Sequence, residues 1–395
     1  MKEFPVFTLR DVADIAAGIT LGRKTKESEL IKVPYLRVAN VQDGRLALAD
    51  IKTVPATRRE IEKWALRDGD LLLTEGGDLD KLGRGACWRT QLPLCIHQNH
   101  IFRVRLPEDS YDPDFVALQV GSEYGKSYFL AHAKKTTGIA SINQQVLGAF
   151  PLLSPPLPEQ RAIAAALKAQ LATIEEARQA AKVQLQELTH LANAIIRETL
   201  AHPDTETQSL GEVLEEVKQG IGSRWAEFPV LGATRDGLAP AKVPVGKKPE
   251  RYKLVQVGTV FYNPMRILIG SIAMVDEGDA PGITSPDYVA LRGREGVVDS
   301  RWFYYWLRSP EGERCIASLA RGAVRERMLF NRLAEGAIKL PPYPVQQAAS
   351  QALSELRPMR QSIEAQLRDI ELLPSRLLAR IFESIEEAPD ARPVN

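Results

Sequence analysis

From Glu159 to about Leu200 the chain has neither proline nor glycine, and apolar residues return at every seventh position. They are Leu167, Ile174, Ala181, Leu188 and Ile195, with Leu171, Leu185 and Leu191 beside them. Such a repeat predicts a helix whose narrow apolar stripe packs on another helix. At about 1.5 Å per residue it would be roughly 60 Å long. A second stretch, about Val345–Ile385, keeps the period at Leu356, Ile363, Ile370 and Leu377, flanked by Leu353, Leu367 and Ile381. Pro358 and Pro374 fall inside it, so this helix is expected to be kinked or to start late. The simplest way to bury both stripes is for the two helices to pair as an antiparallel coiled coil.

Each stripe follows a proline-rich exit. "LLSPPLPEQRAIAAAL" begins at Leu152 and a blurred copy, "IKLPPYPVQQAASQAL", at Ile338, an interval the size of a domain. Proline bars helix before itself and is tolerated in a first turn, which explains its place here. The stretches before the two exits also match. "TLRDVADIAAGI" at Thr8 parallels "SLGEVLEEVKQGI" at Ser209, each opening with a hydroxyl residue suited to cap a short helix. "PYLRVANVQDGRL" at Pro34 parallels "FPVLGATRDGL" at Phe228, an apolar strand running into an Asp-Gly turn. "LRDGDLLLTEGG" at Leu66 parallels "VQVGTVFYNPMR" at Val255, and "DPDFVALQVGSEYGKSYF" at Asp112 parallels "VDSRWFYYWLRSPEGERCI" at Val298. "TTGIASIN" at Thr136 takes the place of "ARGAVRER" at Ala320. The fixed order predicts a duplication. It gives two similar mixed α/β (α+β) domains, 1–153 and 201–341, a central long helix over 154–200 and a C-terminal one over 342–395.

Composition narrows the setting. No run of eighteen apolar residues occurs, so no membrane-spanning helix is expected. The start, "MKEFPVFTLRDVADIAAG", has no basic-then-apolar leader, so no signal peptide is expected. Cys87, Cys95 and Cys315 are too few and scattered for a disulfide framework, and a cytoplasmic setting is expected. The 51 basic and 50 acidic residues leave a net charge of +1, so nucleic-acid binding would have to come from local clusters.

Such clusters exist. From Lys81 to Pro107 there are Lys81, Arg84, Arg89, Arg103 and Arg105 and no acidic residue, with Gly76, Gly77, Gly83 and Gly85 making the first part a loop that can approach a backbone closely. Lys134 and Lys135 precede Thr136, Thr137 and Gly138; Lys247, Lys248 and Arg251 form a third group. Arg314, Arg321, Arg325, Arg327 and Arg332 stand against the single Glu326. Cations of this kind neutralise phosphate, while donors and acceptors on loops read base edges. Arg103 and Arg105 alternate with Phe102 and Val104 and are read as the outer face of a strand. The DNA-contact candidates are therefore Lys81, Arg84, Arg89, Lys134, Lys135, Lys247, Lys248, Arg251, Arg321, Arg325 and Arg327.

Catalytic motifs are missing. "SPPL" at Ser154, "LPPY" at Leu340 and "YNPM" at Tyr262 each fall short of the Asp/Asn-Pro-Pro-aromatic loop that grips a flipped adenine, and no glycine-rich cofactor turn precedes them. Cys87, Cys95, His97 and His100 match no common zinc spacing, so no metal is expected. The run Trp302–Trp306 would point all round a helix, which suits a core better than a stacking platform.

The two-domain, two-helix plan resembles the DNA-specificity subunit of type I restriction–modification systems. The motifs that carry the resemblance are "SPPLPEQRAIAAAL" at Ser154, "LPPYPVQQAASQAL" at Leu340, "DGDLLLTEGGDLDKLGRGACW" at Asp68, "CIHQNHIFRVRL" at Cys95 and "LLPSRLLARIFES" at Leu372. In the second half Val345, Gln346 and Gln347 stand for the Glu159–Gln160–Arg161 run, and the "LTEGGD" wording is absent. The resemblance implies two target-recognition domains, each reading one half of a split double-stranded DNA site. It implies helices that act as a ruler and dock two methyltransferase subunits, with motor-nuclease subunits completing the restricting complex. It implies a non-catalytic chain without a cofactor of its own, S-adenosylmethionine and ATP belonging to the partners. The competing expectation is a coiled-coil scaffold or adaptor that binds protein only.

Overall fold

A computed structural model describes residues 4–23, 29–77, 82–136, 139–320 and 327–382. The chain divides into two compact units, one made of Met1–Gln179 with Arg368–Asn395 and the other of Ala180–Leu367. Each unit thus contains a globular part and a share of both long helices.

In the first unit a four-stranded antiparallel sheet has the order Asp14–Ala17, Ile101–Arg105, Leu71–Thr74, Gly85–Cys87. The run "LLL" at Leu71 is unbroken because both faces are covered. Leu71 and Leu73 join one apolar cluster with Phe102, Phe115, Phe129 and Phe150, while Leu72 joins another with Leu36, Trp88 and Ile101. A second sheet sets Ile96–His97 parallel to Ile31–Leu36, which pairs antiparallel with Lys52–Ala56. A short ladder of Val6–Thr8 with Pro151–Leu153 ties the start of the unit to its proline-rich exit.

The second unit repeats this plan. Its sheet has the order Leu214–Glu216, Val289–Gly293, Thr259–Tyr262, Ile272–Val275. Val260 and Tyr262 face one cluster and Phe261 the other. The ladder before the exit pairs Glu206–Ser209 with Ala337–Leu340. Trp302, Phe303, Trp306 and Leu307 on the helix Ser300–Arg308 are buried, and Tyr304 and Tyr305 pack at the edge of the same cluster.

The central helix runs Leu157–Leu200 and the C-terminal helix Tyr343–Phe382. Burial along them returns at three-, four- and seven-residue steps, through Ala164, Leu167, Leu171, Ile174, Ala181, Leu185, Leu188 and Ala192, then through Leu353, Leu356, Ile363, Leu367, Ile370 and Leu377. In the first unit Ala164 and Leu167 share a cluster with Leu377, Leu378 and Phe382. In the second, Ala192, Ile195 and Ile196 share one with Ala349, Leu353 and Leu356, and Arg360 Nη2 donates to Thr189 Oγ1 at 2.8 Å. Within each unit the helices therefore run antiparallel.

Three expectations are corrected. The C-terminal helix does not start late; it begins directly after Pro341–Pro342 and continues past Pro358 and Pro374. Pro358 is exposed, so the hydrogen bond it removes lies on the side of the helix away from the seam. Leu191 and Ile381 are 48% and 37% exposed, because the seam passes through Ala192 and Ile196 at one end and Phe382 at the other. Arg103 is not on an outer face: it is buried, with Nη2 2.5 Å from Asp14 Oδ2, and the neighbouring Arg105 grips the buried Asp70 at 2.7 Å.

Candidate nucleic-acid interface

A surface that reads bases must be held rigidly, and the repeated exit motif does this twice. Gln160 is fully buried in the first turn of the central helix. Its Oε1 accepts from Asp112 N at 2.9 Å, and its Nε2 donates to Pro155 O at 2.7 Å and Ser110 O at 3.1 Å. Gln346 repeats the arrangement in the second unit. Its Oε1 accepts from Asp299 N at 3.0 Å, and its Nε2 donates to Pro341 O at 2.8 Å and Val297 O at 3.0 Å. Asp112 and Asp299 in turn cap the next helices, accepting from Phe115 N and Trp302 N, each at 2.9 Å. Ser122 and Ser309 cap the helices after those, where Gly125 and Gly312 leave no room for a Cβ against the preceding carbonyls. The two exits share few letters, but the glutamine common to both is the one that fastens helix to domain.

The sequence-derived cations fall into different environments. Arg89 pairs with Asp114 at 2.6 Å; partial burial works against its charge, and the hydrogen bond and charge of Asp114 prevail and raise its pKa. Arg84 reaches Gln42 Oε1 at 3.3 Å and is half-buried. Arg314 and Arg332 are engaged by Glu311 and by the Leu319 carbonyl. Arg327 pairs with Asp287 at 3.1 Å. Lys134 and Lys135 lie exposed on the strand Lys134–Thr136, and Lys247, Lys248 and Arg251 are exposed around a short 3-10 turn; among the described residues none of these five makes an ion pair. Lys81, Arg321 and Arg325 lie outside the described residues.

Polar side chains gather at one end of each sheet that the cation count passed over. In the first unit the turn Gln98–His100 leads into Ile101–Arg105, and His100 Nδ1 lies 2.6 Å from Glu75 Oε2. Asn99 N donates to Ile19 O at 3.0 Å and Glu75 N to His100 O at 3.0 Å, so both loops are pinned through their backbones. In the second unit Asp287, with its partner Arg327, occupies the corresponding sheet end. "QNH" and "EGG" could have flagged the first site, since amide, imidazole and carboxylate groups on turns suit base edges.

The cysteines and His97 serve packing. Burial pushes the Cys87 and Cys95 thiols up to about 12, and burial holds His97 down to about 4, with Nδ1 on Ile101 O at 3.0 Å. Among the described residues no three His, Cys, Asp or Glu side chains gather as a metal site, and no helix is long and apolar enough to cross a membrane.

Residues 1–185 match the family described as type I restriction modification DNA specificity domain. Over 384 residues the chain is 22% identical to the putative type I restriction enzyme MjaX specificity subunit of Methanocaldococcus jannaschii, covering 90% of this chain and 87% of that one. It is 26% identical over 161 residues to the type I restriction enzyme EcoKI specificity subunit of Escherichia coli K12, covering 40% of this chain and 34% of that one. A chain from a structural study of complex assembly and conformational transition of the type I R-M system shares the fold, with TM-score 0.68, 17% identity, and 97% and 99% of the two chains covered. The HsdS subunit from Thermoanaerobacter tengcongensis is similar with TM-score 0.52, 17% identity and 97% of each chain covered. A duplicated α/β unit fastened to paired helices, a match of residues 1–185 to the type I restriction modification DNA specificity domain and near-full-length similarity to a specificity subunit make this chain similar to the DNA-specificity subunits of type I restriction–modification systems.

Proposed function

We propose that the chain gives a type I restriction–modification complex its DNA sequence specificity by reading a bipartite double-stranded site, one half with each unit. The observation that carries this is the internal repeat. The same buried glutamine, the same aspartate cap and the same sheet order recur, while the side chains at the exposed sheet end differ between the units. A frame written twice with different tips suits two different half-sites. The exposed Lys134, Lys135, Lys247, Lys248 and Arg251 would contact phosphate, and Arg327, exposed beside Asp287, stands at the same DNA-facing surface. In this reading Lys81, Arg321 and Arg325 act with them, and Arg84 and Arg89 shape the first surface from within.

The chain has no reaction of its own in this reading. Two methyltransferase subunits dock on it and bring S-adenosylmethionine; motor-nuclease subunits bring ATP and complete restriction, in the cytoplasm. The test is reconstitution with a type I methyltransferase subunit and sequencing of the methylation left on randomised duplex DNA. Methylation confined to a two-part motif supports the reading. An intact complex that methylates nothing, or methylates without a motif, supports a protein-binding scaffold instead.

A further inference from the structure

We infer that the exposed pairs Glu75–His100 and Asp287–Arg327 are the base-reading elements of the two units, contacting the edges of G·C pairs in the major groove. The inference rests on the function proposed above and names the residues that carry it out.

The duplicated backbone places His100 and Asp287 equivalently, and a partner reaches each of them from a different neighbouring strand. Gly69 and Gly258 begin the equivalent turns, both left-handed, with φ of 82° and 81°. Leu73 and Tyr262 then hold the same position, paired across the ladder with Phe102 and Val289. His100 and Asp287 each lie two residues before those partners. On the other flank, Ile142 N donates to Glu75 O at 2.8 Å and Met328 N donates to Pro264 O at 3.0 Å, so Arg327 enters the second site from the strand that Ser141 occupies in the first. The scaffold agrees at these positions, and Arg105 on Asp70 is matched by Arg292 on Thr259. The chemistry at this one spot does not agree.

Neither pair is placed to stabilise the fold. The side chains of His100 and Glu75 are 54% and 34% exposed, and those of Arg327 and Asp287 48% and 79%. Exposed pairs of this kind contribute little to stability, and such groups exchange a protein partner for another ligand readily. Their donors and acceptors match base edges. Arg327 offers the two-pronged donor that fits guanine O6 and N7, and Asp287 and Glu75 accept from the cytosine amino group. His100 keeps Nδ1 on Glu75, and its Nε2 lies at the long distance of 3.5 Å from Asn99 Nδ2, a contact a base edge can replace. Until DNA arrives each pair holds its own readers in place, which lowers the ordering cost of binding.

The first unit also supplies flanking charge at a useful distance. Lys134 pairs with Ser141, and Ser141 with Gly76, the residue after Glu75. Two strand spacings are about 10 Å, close to the roughly 12 Å width of a major groove. A base contact at Glu75–His100 therefore leaves Lys134 and Lys135 near the bordering phosphates.

The test uses the complex with its methyltransferase subunits, methylating a randomised duplex library that is then sequenced. Arg327→Ala should reduce discrimination at one G·C position of one half-site by about 5- to 150-fold, the range for a bidentate base contact. His100→Ala should relax a single position of the other half-site. Arg327→Gln and His100→Gln, which keep some donor capacity, should shift preference at those positions without changing the spacer. Lys134→Ala with Lys135→Ala should lower methylation at every sequence and reduce the salt slope. Even loss over all sequences in Arg327→Ala or His100→Ala, or an unchanged motif in a normally folded variant, overturns the inference. A wild-type complex that yields no two-part motif overturns the proposed function itself.

Discussion

Gln160 gives the sharpest prediction about the frame. Gln160→Leu keeps much of the side-chain volume and removes three hydrogen bonds, to Asp112 N, Ser110 O and Pro155 O. A typical net hydrogen bond is worth about 0.5–1.5 kcal/mol, and a buried group left without a partner costs about 1–3 kcal/mol. Two of the three sites are only partly buried, so water recovers some of the loss. The first unit should lose about 2–3 kcal/mol of local stability. The readout is amide hydrogen exchange across residues 157–167, because a chain with two units need not unfold in one step. Exchange there should quicken roughly 30- to 150-fold, while residues 343–353 in the second unit stay unchanged. Gln346→Leu should produce the mirror image, and Arg161→Ala, at an exposed position, should do neither. Unchanged exchange in Gln160→Leu, or an equal effect from Arg161→Ala, would refute the claim that this glutamine fastens helix to domain.

Two further perturbations probe the core. Leu188→Glu places a charge where Leu188 packs on the second unit's apolar cluster; about 2–3 kcal/mol should be lost and dye-accessible apolar surface should rise, measured by urea unfolding and fluorescence binding. His97 is buried and neutral with its pKa held down to about 4 by burial, against 6.5 when free. The unfolded chain binds its proton first, so stability should fall by up to about 3 kcal/mol as pH drops from 6.5 to 4 and level off below that; His97→Asn should flatten that part of the profile in denaturant titrations.

The helices were legible because burial imposes a strict period: the residues at Leu167, Ile174, Leu188, Leu356 and Leu377 could face nowhere else without stranding apolar surface. The seam's ends were less legible, since Leu191 and Ala192, or Ile195 and Ile196, satisfy the period about equally and only packing chooses. Arg103 and Arg105 misled in the opposite direction. Alternation places a residue on a face, but it does not say that Asp14 and Asp70 wait there to neutralise it. The same blindness hid the sheet-end pairs. Glu75 and His100, like Asp287 and Arg327, are distant in sequence and meet only once the strands are in register. The shared glutamine was visible in both exits, yet its partners at Ser110 and Val297 belong to the loops that the fold brings back to the helix.

Lengthening the helices puts the account to its most direct test. One heptad inserted after Ile174, with a matching heptad near Ile370, keeps the seam in phase and adds about 10 Å to the pair. At roughly 3.4 Å per base pair that is about three base pairs. The methylation motif of the reconstituted complex should keep both half-sites and widen its unread spacer by about three positions. Altered bases across an unchanged gap would contradict two reading units joined by a helical ruler.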